Sequence, residues 1–419
     1  MKNFTLLLLC LFGVVAGWSQ TARVQVIHNS PSPTVDIWAG TQQLLTGVEF
    51  RTASPYLTVP AGLPIALGVA PSPSTTIADI IATFDVTFED GKTYVVIASG
   101  IVGDMTTPFN LNIIEDTREA ATSGDVDFIV NHGSTDAPVV DVIARGVATL
   151  VDDAAYGDVT GYITVPAGAY TLDVTPGGQN SEIVASYSAD LSMLGGGAAV
   201  VFASGFLSPP MMGDPAFGLF AALPDGSVVE FPAVQNTARA QIIHNSPSPT
   251  VDIWVNGQPF VQGVEFRTAT AYVDVPAGTT LNIGVAPSPS TDPGQIIADF
   301  DVNFAPDQTY VAIASGIVGN MTTPFTLNVV ENAREAATSG DVDFIVNHGS
   351  TDAPAVDVIA RGVATLVTDA AYGDVTGYIT VPAGAYTLDV TPTGQNDEIH
   401  IAGGGRFACI FHHIEGKGG

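Results

Sequence analysis

Cysteine is almost missing from this chain. Its 419 residues include two, Cys10 and Cys409, so the long stretch between them can hold neither a disulfide framework nor a thiolate zinc site. Basic residues are scarce as well. Lys92 is the only lysine between Lys2 and Lys417, and 12 Lys and Arg stand against 42 Asp and Glu, a formal net charge of −30. With no basic face to neutralise phosphates, binding to DNA, RNA or anionic lipid is disfavoured, and nucleic acid is set aside as a partner. Motifs of common chemistries are absent too: there is no Gly-x-Ser-x-Gly elbow, no phosphate loop, no zinc-protease helix and no EF-hand spacing. What remains is an apolar chain, 46% hydrophobic and 13% charged, long enough for three or four β domains of roughly 100 residues each.

The N-terminus reads as an export signal. Lys2 precedes the apolar run Leu6 to Val15, about half the length needed to span a bilayer, and small residues follow at Gly17 and Ser19. Residues 1–19 are therefore expected to be a signal peptide cut near Ser19, with no transmembrane span after its removal. Cys10 lies inside the apolar run behind Leu9 and belongs to the removed segment. Export without disulfides is ordinary for bacteria, which places the mature chain outside a bacterial cell or on its surface.

The mature chain is a duplication of a duplication. His28-Asn29-Ser30-Pro31-Ser32-Pro33-Thr34-Val35-Asp36-Ile37-Trp38 returns unchanged as His244 to Trp254, and in looser form as His132 to Asp141 and His348 to Asp357. Ala22 to Ile183 matches Ala238 to Ile399 without insertion or deletion, a tandem duplication of a two-module unit. Within the unit, Tyr56 to Gly62 parallels Tyr162 to Gly168, and Val95 to Gly100 parallels Val200 to Gly205. The expected modules are residues 22–117, 124–233, 238–333 and 340–399, followed by an anomalous tail over 400–419. From His400 the sequence no longer follows Val184 onward. A shifted reading frame or a truncated gene explains that most simply, and it predicts a fourth module with an unpaired, aggregation-prone sheet edge.

Within a module Val24, Val26 and His28 alternate with Gln25 and Ile27, and Val35 and Ile37 with Asp36 and Trp38, the period of a strand with two unlike faces. Asn256-Gly257, Asp90-Gly91 and Asp225-Gly226 supply the turn chemistry of hairpins, and Pro-Ala-Gly turns follow Val59, Val165, Val275 and Val381. Only Arg118 to Ala121, its copy at Arg334, and Ser188 to Leu194 look capable of a helical turn. About seven short strands per module predict an all-β chain of tandem immunoglobulin-like or transthyretin-like β-sandwiches.

Val-x-Val-x-His-x-Ser-Pro, a following Val-Asp-aliphatic-aromatic, and Tyr-x-x-Val-Pro-Ala-Gly together resemble the bacterial secreted-protein family known only as domain of unknown function 4397. Four copies cover essentially the whole mature chain. The resemblance implies exported or cell-surface proteins with tandem β-sandwich modules and no established activity.

The candidate residues are the repeated polar and aromatic positions: His28, Asp36 and Trp38; His132 and Asp141; His244, Asp252 and Trp254; His348 and Asp357. A His–Asp pair could orient a base, but no nucleophile recurs beside it. These residues are therefore expected to order loops, His28 and Ser30 bonding the turn backbone while Asp36 caps a neighbouring loop. No cofactor is called for. Calcium held between a loop and a neighbouring module is the one ion the acidic residues would suit, with Asp152, Asp153 and Asp158 close together in one loop. Cys409, His412 and His413 carry metal-capable atoms in the anomalous tail. The expected function is a non-enzymatic adhesion or structural spacer whose partner is a surface protein or a glycan. The alternative is a carbohydrate-binding surface protein with Trp38 and Trp254 as stacking platforms, and a hydrolase is a second alternative.

Overall fold

The computed structural model describes residues 20–395, with the backbone of 409–411 and 414–415. The expected signal segment, and most of the tail beyond 399, lie outside the described residues. The chain divides into two compact units, Met1–Val234 and Gln235–Gly419.

In the first unit, module one contains β1 (Thr21–Asn29), β2 (Val35–Ala39), β3 (Gln42–Val48), β4 (Thr52–Ala53), β5 (Leu57–Pro60), β6 (Pro64–Pro71), β7 (Ala82–Thr87), β8 (Thr93–Ser99) and β9 (Asn110–Glu115). Module two contains β10 (Asp125–His132), β11 (Val140–Ala144), β12 (Ala148–Ala154), β13 (Ile163–Pro166), β14 (Ala169–Pro176), β15 (Ala185–Asp190), β16 (Ala198–Ser204), β17 (Gly218–Ala222), β18 (Val228–Phe231) and β19 (Ala233–Val234). Each module is a two-sheet sandwich. In module one an inner sheet runs β4-β1-β8-β9, with β5 also on β1, and an outer sheet runs β3-β2-β6-β7. In module two the inner sheet is β13-β10-β16-β17-β18 and the outer one β12-β11-β14-β15-β19.

The all-β sandwich expectation holds, with more strands than the seven anticipated. At the centre of each inner sheet lies a parallel pair that periodicity alone does not announce: β1 runs alongside β8 from Arg23↔Thr93 to Asn29↔Ser99, and β10 alongside β16. A parallel pair needs a crossover, and here the intervening strands make it by passing through the outer sheet. Two turn assignments change accordingly. Asp90-Gly91 is not a hairpin, because β7 pairs with β6 in the outer sheet while β8 pairs with β1 in the inner one. The Pro-Ala-Gly turn after Val59 is likewise a corner from the inner to the outer sheet. Asn256-Gly257, with φ of 51° and 74°, and Asp225-Gly226 do close hairpins. No helical turn forms where one was expected: Ser188 lies in β15, and the short 3-10 turns are Ile77–Asp79 and Pro293–Gln295.

The two modules of the first unit are not beads on a linker. Along β8, Tyr94 and Val96 pack into the core of their own sandwich, while Val95 and Ile97 turn the other way. There they meet Ile27, Tyr56, Ile129, Val200, Phe202, Phe220 and Ala222 in a second apolar layer shared by both inner sheets. Along β16, Ala199, Val201 and Ala203 face inward, and Val200 and Phe202 face that shared layer. The first unit is therefore a stack of four sheets whose middle two are covered on both faces. Strands covered on both sides read as continuous apolar runs, which accounts for Val95-Val96-Ile97-Ala98 and Val200-Val201-Phe202-Ala203.

The second unit repeats this plan. Module three contains β20 (Thr237–Asn245), β21 (Val251–Val255), β22 (Gln258–Val264), β23 (Thr268–Ala269), β24 (Val273–Pro276), β25 (Thr280–Pro287), β26 (Ala298–Asn303), β27 (Thr309–Ser315) and β28 (Thr326–Val330), with β20 parallel to β27. Module four contains β29 (Asp341–Phe344), β30 (Val346–His348), β31 (Val356–Ala360), β32 (Ala364–Ala370), β33 (Ile379–Pro382), β34 (Leu388–Pro392), β35 (Cys409–Phe411) and β36 (Ile414–Glu415). Ile243, Val311, Ile313 and Ile345 form its shared layer. The edge of β29 and β30 was expected to be bare. Instead β36 and β35 pair with it antiparallel, on strands whose copy in module two, β10, pairs parallel with β16. Backbone pairing needs only donors and acceptors at strand spacing, so a sequence unrelated to β16 can supply it.

Candidate functional site

The repeated motif builds the end of each module where the first strand leaves the inner sheet. His28, the next-to-last residue of β1, is buried, and its Nε2 lies 3.0 Å from the Pro33 carbonyl oxygen. A carbonyl only accepts, so Nε2 carries the proton and Nδ1 is left to accept from the Ser30 amide at 3.3 Å. Burial holds His28 below the usual histidine range, with the Pro33 bond opposing, and the imidazole stays neutral. His132, His244 and His348 make the same bond to Pro138, Pro249 and Pro354, at 3.0, 2.8 and 3.0 Å. In the first unit the motif serine closes the brace: Ser30 Oγ donates to Gly100 O at 2.6 Å and Ser134 Oγ to Gly205 O at 2.7 Å.

Asp36 acts on a different element. Pairing of β2 with β3 shifts register twice, and the bulge brings Gly47, at φ 64°, opposite the carboxylate. Asp36 Oδ1 accepts the Gly47 N–H at 2.8 Å. Its Oδ2 accepts the Ser74 amide at 2.6 Å, the Ser74 hydroxyl at 2.7 Å and Gln43 Nε2 at 3.1 Å. Burial pushes the Asp36 carboxyl up, but these donors outweigh it and hold it below the usual carboxylate range. Asp252 repeats the arrangement with Gly263 and Ser290. In modules two and four the residue at the bulge is itself an aspartate at positive φ: Asp153 donates its N–H to Asp141, and Asp369 to Asp357, each at 2.7 Å. The repeated aspartate is in every module the clamp of a β-bulge.

Trp38 and Trp254 are 6% and 2% exposed, and their indole N–H groups donate to Ser74 and Ser290 at 3.0 and 2.9 Å. The stacking-platform reading is thereby corrected, because no ring face is open to a sugar. The structure thus joins Asp36, Trp38, Ser74 and Gln43 in one hydrogen-bonded group. It leaves His28 apart from Asp36, since both ring nitrogens of the histidine are spent on its own turn. Ser74 and Ser290 escaped the sequence reading, although Ala70-Pro71-Ser72-Pro73-Ser74 recurring intact as Ala286 to Ser290 was the signal for them. Asp158 is engaged with the Ala155 amide, and among the described residues no three His, Cys, Asp or Glu side chains gather at one point. The side chains of Cys409, His412 and His413 lie outside the described residues.

The braced carbonyls of Gly100 and Gly205 open the loops from β8 to β9 and from β16 to β17. Gly100 sits at φ 84°, and a Cβ there would lie 2.3 Å from Pro108 O, so only glycine lets the loop fold back on itself. Asp136 adds a second tie in module two, accepting the amides of Leu207 and Ser208, each at 2.8 Å. Asn29 Nδ2 reaches across the shared layer to Ala203 O at 3.0 Å, so the braced ends of modules one and two meet at one end of the first unit. No helix among the described residues is long and apolar enough to cross a membrane.

Comparison with known proteins adds a family and little else. No curated protein matches the chain. Among solved structures, the Bacillus anthracis TIE protein is similar over 71% of this chain and 50% of that one, at 11% identity and a TM-score of 0.17, a likeness too slight to carry an argument. The family model "Domain of unknown function (DUF4397)" matches residues 22–143, 130–213, 238–359 and 344–413. The chain accordingly belongs to the DUF4397 family, in four tandem copies.

Proposed function

We propose that the protein is an exported, non-enzymatic bacterial adhesion or spacer that presents loops from tandem β-sandwiches outside the cell. One observation carries this reading. In every module the motif histidine bonds the carbonyl of its own turn and the motif aspartate accepts a bulge amide, so the repeated design spends this pair on fixing loops and keeps the two side chains apart. Repetition then adds avidity, because loops fixed on one body engage a surface together at little further entropic cost. The acidic surface, net charge −30, supports solubility and disfavours anionic surfaces as targets.

The test is adsorption of the chain from residue 20 onward to phenyl-terminated, hydroxyl-terminated and cellulose films on a quartz-crystal microbalance. Retention on at least one film through a buffer wash is expected. Release from all three would remove adhesion from consideration.

A further inference from the structure

Methionine normally fills gaps in apolar cores, since its flexible thioether adapts to irregular space. Here all five methionines among the described residues are outside: Met105 is 97% exposed, Met193 92%, Met211 70%, Met212 fully and Met321 97%. Four of them occupy one topological position, the loop after Gly100, Gly205 or Gly316, the glycine that follows the inner-sheet strand. Met105 lies between β8 and β9, Met211 and Met212 between β16 and β17, and Met321 between β27 and β28. Each loop exposes an aliphatic residue with its methionine: Val102, Leu207 and Val318.

These tips are held, not dangling. In module one Ile101 bridges Pro108, and Asp104 Oδ1 accepts the amides of Thr106 and Thr107 at 2.7 and 2.8 Å. In module three Ile317 bridges Pro324, and Asn320 accepts from Thr322 and Thr323 at 2.8 and 3.0 Å. Module two reaches the same result with another sequence: Phe206 bridges Ala216, and Asp214 accepts the Met211 amide at 2.9 Å. Two differently written loops, and in module three a copy of the first that keeps its methionine, are each stiffened at the base and each expose a thioether beside an aliphatic side chain, which points to a contact surface and not to chance exposure.

We propose that these methionine loops are the adhesive tips of the protein, and that they engage an uncharged, aromatic-rich apolar surface. This rests on the adhesion reading and names its contact. The thioether sulfur packs favourably against aromatic ring edges. Charge points the same way: Asp104 and Asp214 sit within the tips and no Lys or Arg lies in either loop, so an anionic surface is disfavoured and a neutral one is not. In the first unit both loops spring from the end where the two braces meet, so two tips act from one rigid body. The tips are also a modification site. Hydrogen peroxide transfers one oxygen to the sulfur, giving the sulfoxide and water as the O–O bond is reduced, and the apolar tip becomes polar.

The experiment compares the wild-type chain with the combined variant Met105→Ser, Met211→Ser, Met212→Ser, Met321→Ser on the three films, with thermal melting as the control for folding. Retention on phenyl that falls at least tenfold in the variant at unchanged Tm, and that falls likewise after peroxide treatment of the wild type, is the expected result. Phenyl retention unaltered in the variant, or wild-type retention confined to cellulose or the hydroxyl film, overturns the tip assignment and leaves adhesion standing. Release of the wild type from all films removes both.

Discussion

The guanidinium of Arg51, in module one, lies over the ring of Phe220, in module two, 4.3 Å from its centroid. Its Nε donates to Ser204 Oγ at 3.0 Å, and one terminal nitrogen donates to the carbonyls of Ser204 and Ala216 at 3.0 and 2.5 Å. A single side chain therefore ties the turn beyond β3 to the base of the β16–β17 loop, across the layer that fuses the modules. Arg51→Ala is expected to lower unfolding free energy in urea by about 2 kcal/mol, the scale of hydrogen bonds to a charged group. Arg51→Lys should recover only part of it, since an ammonium cannot reproduce the planar fork.

Fusion through the shared layer predicts cooperativity. Phe202→Ala removes a fully buried ring where Val95, Ile97 and Phe220 meet it, and should cost about 3–5 kcal/mol. In calorimetry the two modules of the first unit should melt in one transition in the wild type. Two separate transitions from unaltered protein would contradict the shared layer.

Acidification should loosen modules one and three through their histidines. Burial lowers the pKa of His28 and His244 from the ordinary 6.5, so the unfolded chain takes up protons that the folded one refuses. Their contribution to stability is complete above about 6.5 and is lost as pH falls below it. Tm should drop between pH 7 and pH 5, and the double variant His28→Gln, His244→Gln should show a flatter profile there. Asp36 and Asp252, held below the usual carboxylate range, lose their contribution only at lower pH, below about 4.

The bulge clamp is testable at one atom. Asp36→Asn replaces an acceptor with an amide that must face donors from Gly47, Ser74 or Gln43, and should cost about 2 kcal/mol in chemical denaturation. Gly47→Ala should destabilise by about 1 kcal/mol through its positive φ, with the carboxylate intact.

Trp38→Ala separates packing from sugar recognition. A buried indole bonded to Ser74 predicts a loss of about 3–5 kcal/mol in stability, and no tryptophan-dependent retention on insoluble polysaccharide.

Much of this architecture is legible before folding is considered. The β class follows from alternation such as that in Val24 to Ile27, the module count from the histidine motif returning at His28, His132, His244 and His348, and the β21–β22 hairpin from Asn256-Gly257. Each is a local property, because side-chain period and turn dihedrals depend on a handful of neighbouring residues. Reading Asp90-Gly91 as a hairpin failed for a reason of the same kind. The dipeptide reverses the chain, but which sheet receives the next strand depends on partners far away, and Tyr94 is taken by Val24.

The sequence by itself determined an acidic, cysteine-poor chain of repeated two-sheet modules and the positions of their shared polar residues. Tertiary structure alone decided that Val95 and Phe202 face a neighbouring module and not solvent, that Asp36 clamps a bulge while His28 braces a loop, and that Trp38 is covered. The physical reason is that burial on a strand's second face, and the partner of a buried carboxylate, are set by residues tens of positions away, which no local period records.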